Sequence, residues 1–254
     1  MELYAWLLCY NNIVIDQKHR LLFCPIPKVA CTNWKITLRI AANLGDHLNE
    51  DLAHDRQNNG LDYLCHHNRL MRFWLLNNPT FTKACFVRNP WTRILSAYRN
   101  KIENALTENG GIKKSKKSWI YRTINRAKTY CRQHNLVEDD GPEELTFGEF
   151  LHYLEGQAPE NLNEHWRPQW LISGIDKIRY DFVGRFEYLE QDATVLTQKL
   201  GLPDLYNGPI VTVPKSNSGM SRILQHYYTS SRIEQVQRIY AKDIDLLGYT
   251  FPEG

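Results

Sequence analysis

Apolar residues along this chain fall in short unbroken runs, each followed by a longer stretch in which they recur every three or four positions. Leu21, Leu22 and Phe23 form the first run within residues 20–25, and residues 32–44 follow with helical spacing up to Gly45. The pattern returns at 82–88, T-K-A-C-F-V-R, then Asn89-Pro90 and a helical segment through Asn104. It recurs at 181–186, D-F-V-G-R-F, before a helix with Leu189, Ala193, Leu196 and Leu200 on one face and Gly201-Leu202-Pro203 as its stop. Short continuous apolar runs suit buried strands, and their alternation with helices predicts an α/β fold with a central parallel sheet flanked by helices.

Between these units, residues 45–60 read as a polar loop and 62–76 as a helical segment of aromatic, Leu and His positions. Thr146 with Glu149 makes a capping box, after which Phe147, Phe150, Leu151 and Leu154 mark a helix face. The stretch 220–248 reads as helical, with Ile233, Val236 and Tyr240 inward. No internal repeat exceeds the strand–turn–helix echo and no linker divides the chain, so a single domain over 1–254 is expected.

Composition narrows this little. A length of 254 residues with 43% hydrophobic and 23% charged residues suits one large soluble domain. A net charge of +3 gives no argument for nucleic acid. No run approaches the roughly 20 apolar residues that span a bilayer, and the start lacks the basic region of a signal peptide. The six cysteines (9, 24, 31, 65, 85, 131) show no C-x-x-C spacing, and the one Asn-x-Thr, Asn78-Pro79-Thr80, is blocked by proline. Free thiols and a cytoplasmic location are expected, or a Golgi lumen if the chain is a fragment. Charge does change the picture locally: 113–132 carries eight Lys or Arg and no acid, and 138–144 carries five acids. Residues 113–144 therefore read as a charged insertion or mobile segment.

Candidate chemistry concentrates at F-C-P-I-P-K-V-A-C-T-N-W-K, residues 23–35. Two prolines stop the strand and shape a turn. Thr32 or Asn33 is expected to cap the next helix, aiming backbone N–H groups and the Lys28 ammonium at one point, as in a phosphate cradle. Residues 25–35 hold no glycine, which separates the loop from G-x-x-x-x-G-K-[S/T] and suits a smaller group than a triphosphate. In V-R-N-P-W-T-R-I-L-S-A-Y-R-N-K, Arg88 ends a strand and Ser96 lies two turns into the following helix. Together they can bind a second phosphate by charge-assisted bonds. Arg93 and Arg99 stand equally well as solvating residues of the helix surface.

These two motifs resemble the 5′-phosphosulfate-binding and 3′-phosphate-binding motifs of carbohydrate sulfotransferases of the chondroitin, dermatan and HNK-1 type. H-W-R-P-Q (165–169), Y-D-F-V-G-R-F-E (180–187) and the ending Y-A-K-D-I-D-L-L-G-Y extend the resemblance over most of residues 20–250. It implies a P-loop-kinase-like sulfotransferase fold and the donor 3′-phosphoadenosine 5′-phosphosulfate, PAPS, which leaves as PAP. Pro27, Lys28, Val29, Ala30, Cys31, Thr32, Asn33 and Trp34 would hold the 5′-phosphosulfate, and Arg88 and Ser96 the 3′-phosphate. An acceptor hydroxyl would attack sulfur in line without a metal, with Lys28 on the leaving oxygen and a His or Glu base. His165 ranks first for the base and His67 second, followed by His66 and Glu164.

The acceptor would be a carbohydrate, and a sulfated or uronic-acid glycan would give the basic block a role beside Trp119 and Tyr121. Where the Golgi enzymes of this group have an L-C-x-P-C type sequence, this chain has Leu171-Ile172-Ser173-Gly174-Ile175, which fits a soluble, bacterial-like relative. A nucleotide-kinase-like phosphotransferase and a non-catalytic nucleotide- or glycan-binding relative are the rival readings.

Overall fold

The computed structural model describes residues 9–46, 48–105, 118–137, 145–202 and 217–252. In chain order its elements are β1 (Val14–Asp16), β2 (Leu21–Cys24), α1 (Cys31–Ala41), α2 (Glu50–His54), β3 (Asp62–Tyr63), α3 (Arg69–Asn77), β4 (Thr82–Val87), α4 (Pro90–Lys101), α5 (Ser118–Gln133), α6 (Phe147–Glu155), α7 (Gln169–Ser173), β5 (Phe182–Arg185), α8 (Leu189–Lys199), α9 (Asn217–Tyr227), α10 (Ser230–Ile239) and α11 (Ala241–Leu247). The chain folds into two compact units, Met1–Arg88 with Pro168–Pro214 and Asn89–Arg167 with Lys215–Gly254.

The first unit holds a five-stranded sheet in the order β3-β1-β2-β4-β5. The three runs read as strands, β2, β4 and β5, pair in parallel as expected. The sheet as a whole is mixed, because β1 pairs antiparallel with both β2 and β3. Those two strands, of three and two residues, are too short to carry a period-two signal. Phe23, Phe86, Phe182 and Gly184 share one face, where Trp34 of α1 packs its ring 4.7 Å from Phe23 and 4.8 Å from Phe86. Gly184 leaves room for that cluster, since a Cβ there would sit 2.4 Å from the Phe86 ring. The opposite face is closed by α7, whose Ile172 carbonyl accepts from the Cys24 thiol. Burial pushes the thiols of Cys24 and Cys85 well up, so both stay protonated and chemically inert.

Three further expectations change in this unit. The stretch 45–60 contains α2, started by Asn49, whose side chain accepts from the Leu52 N–H. The segment 62–76 splits into β3, a 3₁₀ turn at Leu64–His66 and α3, because the Asn68 side chain caps a new helix at Arg69. Thr32 and Asn33 lie inside α1 rather than capping it. The N-cap is Ala30, whose left-handed φ of 50° ends the turn with no side-chain bond.

The second unit is helical. Asn89 caps α4 by accepting from the N–H groups of Trp91 and Thr92, and α4 ends at Lys101 before a 3₁₀ turn at Glu103–Ala105. The capping box of Thr146 and Glu149 starts α6 as expected. The 220–248 stretch is helical as expected, divided into three helices at Thr229, which caps α10, and at Tyr240. Residues 118–133 of the basic block form α5, burying Ile120, Ile124, Ala127 and Cys131 and exposing Tyr121, Arg122 and Arg126. Lys113, Lys114, Lys116 and Lys117, and the acids of 138–144, lie outside the described residues. Among the described residues, no helix is long and apolar enough to cross a membrane.

Candidate anion-binding site

The strand directions bring the candidate residues of the first unit to one edge of the sheet. Because β1 is antiparallel to both neighbours, β3 runs the same way as β2, β4 and β5. The loops leaving Cys24, Tyr63, Val87 and Arg185 therefore emerge on the same side. From β2 the chain goes on to β3 at one end of the sheet, and after β4 its next strand is β5 at the other end. The carboxyl ends of β2 and β4 thus flank a topological switch point, where open α/β sheets form their ligand crevice.

Lys28 and Arg88 occupy that point. Lys28 has φ 69° and Ala30 φ 50°, so a loop without glycine takes the left-handed conformation twice. Each such residue costs on the order of 1 kcal/mol and persists where its surroundings over-determine it. The geometry turns the chain sharply from β2 into α1. By helix geometry the first N–H groups of α1 have no intrahelical acceptor, and no side chain caps them. Thr32 and Asn33 sit in this first turn. Asn33 is 2% exposed and its Oδ1 has no hydrogen-bond partner. A half-turn of that amide would present an N–H to an anion instead. Trp34 is a core residue, so it serves this turn by anchoring α1 to the sheet.

Arg88 is held from three sides. Its backbone N–H donates to Gln169 Oε1 at 2.9 Å and its carbonyl accepts from Gln169 Nε2 at 2.8 Å. Its guanidinium donates to the Lys28 carbonyl at 3.0 Å and lies 4.2 Å from the Phe186 ring centre. A cation only 7% exposed is thus packed against the cradle loop. Gln169 and Phe186 belong to the H-W-R-P-Q and F-V-G-R-F-E motifs. The sequence singled out those motifs without showing what the two side chains do.

The histidines of the first unit hold different partners. His67 follows β3 by one 3₁₀ turn, and β3 itself lies two strand spacings, roughly 10 Å, from β2. Its Nε2 meets both oxygens of Asp62, at 2.9 and 3.0 Å. His66 is occupied locally, its Nδ1 accepting from the Tyr63 N–H at 3.3 Å. A histidine that the motifs did not single out, His54 at the end of α2, places Nε2 2.9 Å from Thr32 Oγ1.

His165 and Ser96 belong to the second unit. The His165 ring stacks on Trp119, 5.4 Å between centres, and its Nδ1 lies 2.6 Å from Asn163 Oδ1. Ser96 is half-buried on α4. Arg93 is buried and structural: it donates to the carbonyls of Arg167 at 2.8 Å and Glu164 at 3.2 Å. Tyr240 adds a third clamp on this segment, donating to the Trp166 carbonyl at 2.6 Å. Arg99 does stay on the surface, paired with Glu103 at 3.3 Å.

Comparison with known proteins finds sulfotransferases along the chain. Carbohydrate sulfotransferase 14 of Danio rerio is 29% identical, over 95% of this chain and 63% of the relative. Carbohydrate sulfotransferase 9 of Homo sapiens is 29% identical over 95% and 54%, and carbohydrate sulfotransferase 11 of Danio rerio 30% identical over 95% and 68%. The chain thus spans about three-fifths of the length of such relatives. No solved structure matches it. The Sulfotransferase family matches from residue 11 to residue 250, a span that takes in every strand of the sheet and both of its carboxyl-edge motifs, and the chain belongs to that family.

Proposed function

We propose that this protein is a PAPS-dependent carbohydrate sulfotransferase. The observation that carries the reading is the uncapped start of α1 beside Lys28 and the buried Arg88, all at the switch point of the sheet. The residues present fit a phosphosulfate: backbone N–H groups, a lysine and a buried amide converge there, and no glycine widens the loop. Membership of the family and relatives that are carbohydrate sulfotransferases support the same choice. The parallel strands β2, β4 and β5, with the cradle turn leaving β2, support a P-loop-kinase-like fold.

The donor supplies an activated sulfuryl group. The turn Pro27–Ala30 and the first residues of α1, Cys31 to Trp34, receive its 5′ end, and the backbone N–H groups of Cys31, Thr32 and Asn33 hold its oxygens. Lys28 neutralises charge developing on the oxygen that leaves with the phosphate. Arg88 and Ser96 hold the 3′-phosphate, as their motif implies. His67, oriented by Asp62, and His165, stacked on Trp119, act on the acceptor side, and the exposed arginines of α5 attract an anionic glycan. The two units together make one sulfotransferase domain.

Calorimetry with adenosine 3′,5′-bisphosphate against ATP and Mg²⁺ tests the donor assignment, and tighter ATP binding would sink it. Transfer of labelled sulfate to a panel of glycans tests the reaction. Lys28→Ala is expected to lower turnover by about 10²-fold or more. Unchanged turnover in that variant would remove Lys28 from the leaving oxygen.

A further inference from the structure

His54 carries the strongest additional signal. It lies in a polar stretch with no apolar period, yet the fold brings it onto the cradle helix. Arg39 of α1 donates to the carbonyls of Asn59 and Gly45, and the Asn59 side chain donates to the Ala53 carbonyl at 3.3 Å. Arg39, Asn59 and Ala53 are all buried. The residue before His54 is therefore tied to α1 through a buried polar chain, which fixes α2 against the cradle. The imidazole itself is exposed at the surface, with Nε2 2.9 Å from Thr32 Oγ1.

We propose that His54 is the general base that takes the acceptor proton. This rests on the sulfotransferase reading of the same site. Thr32 lies in the first turn of α1, where the sulfuryl oxygens would be held, so a ring in contact with its hydroxyl stands one group away from the sulfur. His67 Nε2 is already engaged by both oxygens of Asp62, whereas His54 meets the cradle helix itself. In the step, the acceptor O–H proton passes to His54 Nε2 while the acceptor oxygen bonds to sulfur. The bond from sulfur to the 5′-phosphate oxygen breaks, and that oxygen leaves with the electron pair beside Lys28. Thr32 then serves as a positioning residue, keeping the ring at the sulfur until the acceptor displaces it.

His54→Gln retains a group able to reach Thr32 but cannot take the proton. Release of adenosine 3′,5′-bisphosphate from the labelled donor is followed across pH 5–9, with desulfated chondroitin, desulfated dermatan and water as acceptors. The expected result is a fall in kcat of about 10²- to 10⁴-fold and loss of the acidic limb of the pH profile. Affinity for adenosine 3′,5′-bisphosphate by calorimetry should stay within about threefold. If the limb persists and affinity falls instead, His54 only shapes the cradle and the proposal is overturned. Turnover of His54→Gln near that of the parent overturns it too, leaving the sulfotransferase reading intact. If the parent chain neither binds the bisphosphate nor cleaves the donor, both readings fall together.

Discussion

At the scale of single residues, the cradle depends on side chains forced into backbone shapes they do not prefer. Ala30 ends the turn in the left-handed region where glycine would sit without strain, and Lys28 does the same two residues earlier. Ala30→Gly should therefore raise the free energy of unfolding by about 1 kcal/mol, relief of strain outweighing the added freedom of the unfolded chain. Urea denaturation reads this directly, and a lower midpoint would mean that the Ala30 methyl group makes contacts worth more than the strain. The sequence announced the residue types of this turn but not its geometry. Thr32 and Asn33 are both preferred N-cap residue types, and the cap nevertheless falls on Ala30. Burial of Trp34 between Phe23 and Phe86 fixes where α1 must lie, and the cap follows from that.

Elements show why the motifs that carry the family resemblance contain residues that no ligand needs to touch. Gln169 opens α7 and is fully buried, and both ends of its amide bond the backbone of Arg88. Gln169→Ala leaves a buried N–H and a buried carbonyl unpaired, a loss of about 2–4 kcal/mol of stability at roughly 1–2 per group. Chemical denaturation should detect it, and calorimetry should show weaker binding of adenosine 3′,5′-bisphosphate because Arg88 is no longer fixed. Stability within about 0.5 kcal/mol of the parent, the scatter of surface substitutions, would contradict this role for Gln169. In the second unit, Arg93 and Tyr240 clamp the carbonyls of 164–167 in the same manner. A long cation on a helix of mixed polarity reads as a solvated surface residue until its acceptors are known, and those acceptors lie more than 70 positions away.

For the molecule as a whole, stability comes without covalent cross-links. All six cysteines are free, and Cys9, Cys24, Cys85 and Cys131 are buried. Addition of a thiol reductant should leave the midpoint of thermal unfolding unchanged, as measured by circular dichroism with and without dithiothreitol. A drop of several degrees would reveal a cross-link that the fold does not require. Among the described residues, the chain passes between its two units at Arg88–Asn89 and Arg167–Pro168. These passages fall inside the V-R-N-P-W and H-W-R-P-Q motifs, so each motif contributes residues to both units.

The sequence by itself determined the α/β class, the three parallel strands, the turn with Lys28, the strand end at Arg88 and the family. Those features depend on residues within a few positions of one another, where apolar period, proline and cap chemistry act directly. Only the tertiary structure decided that the sheet is mixed, that β2 and β4 flank the switch point, and that Gln169 and Phe186 hold Arg88. It also brought His54 to Thr32. Such contacts join residues 22 to 98 positions apart, and packing of helices onto a sheet, rather than any local preference, determines which of them meet.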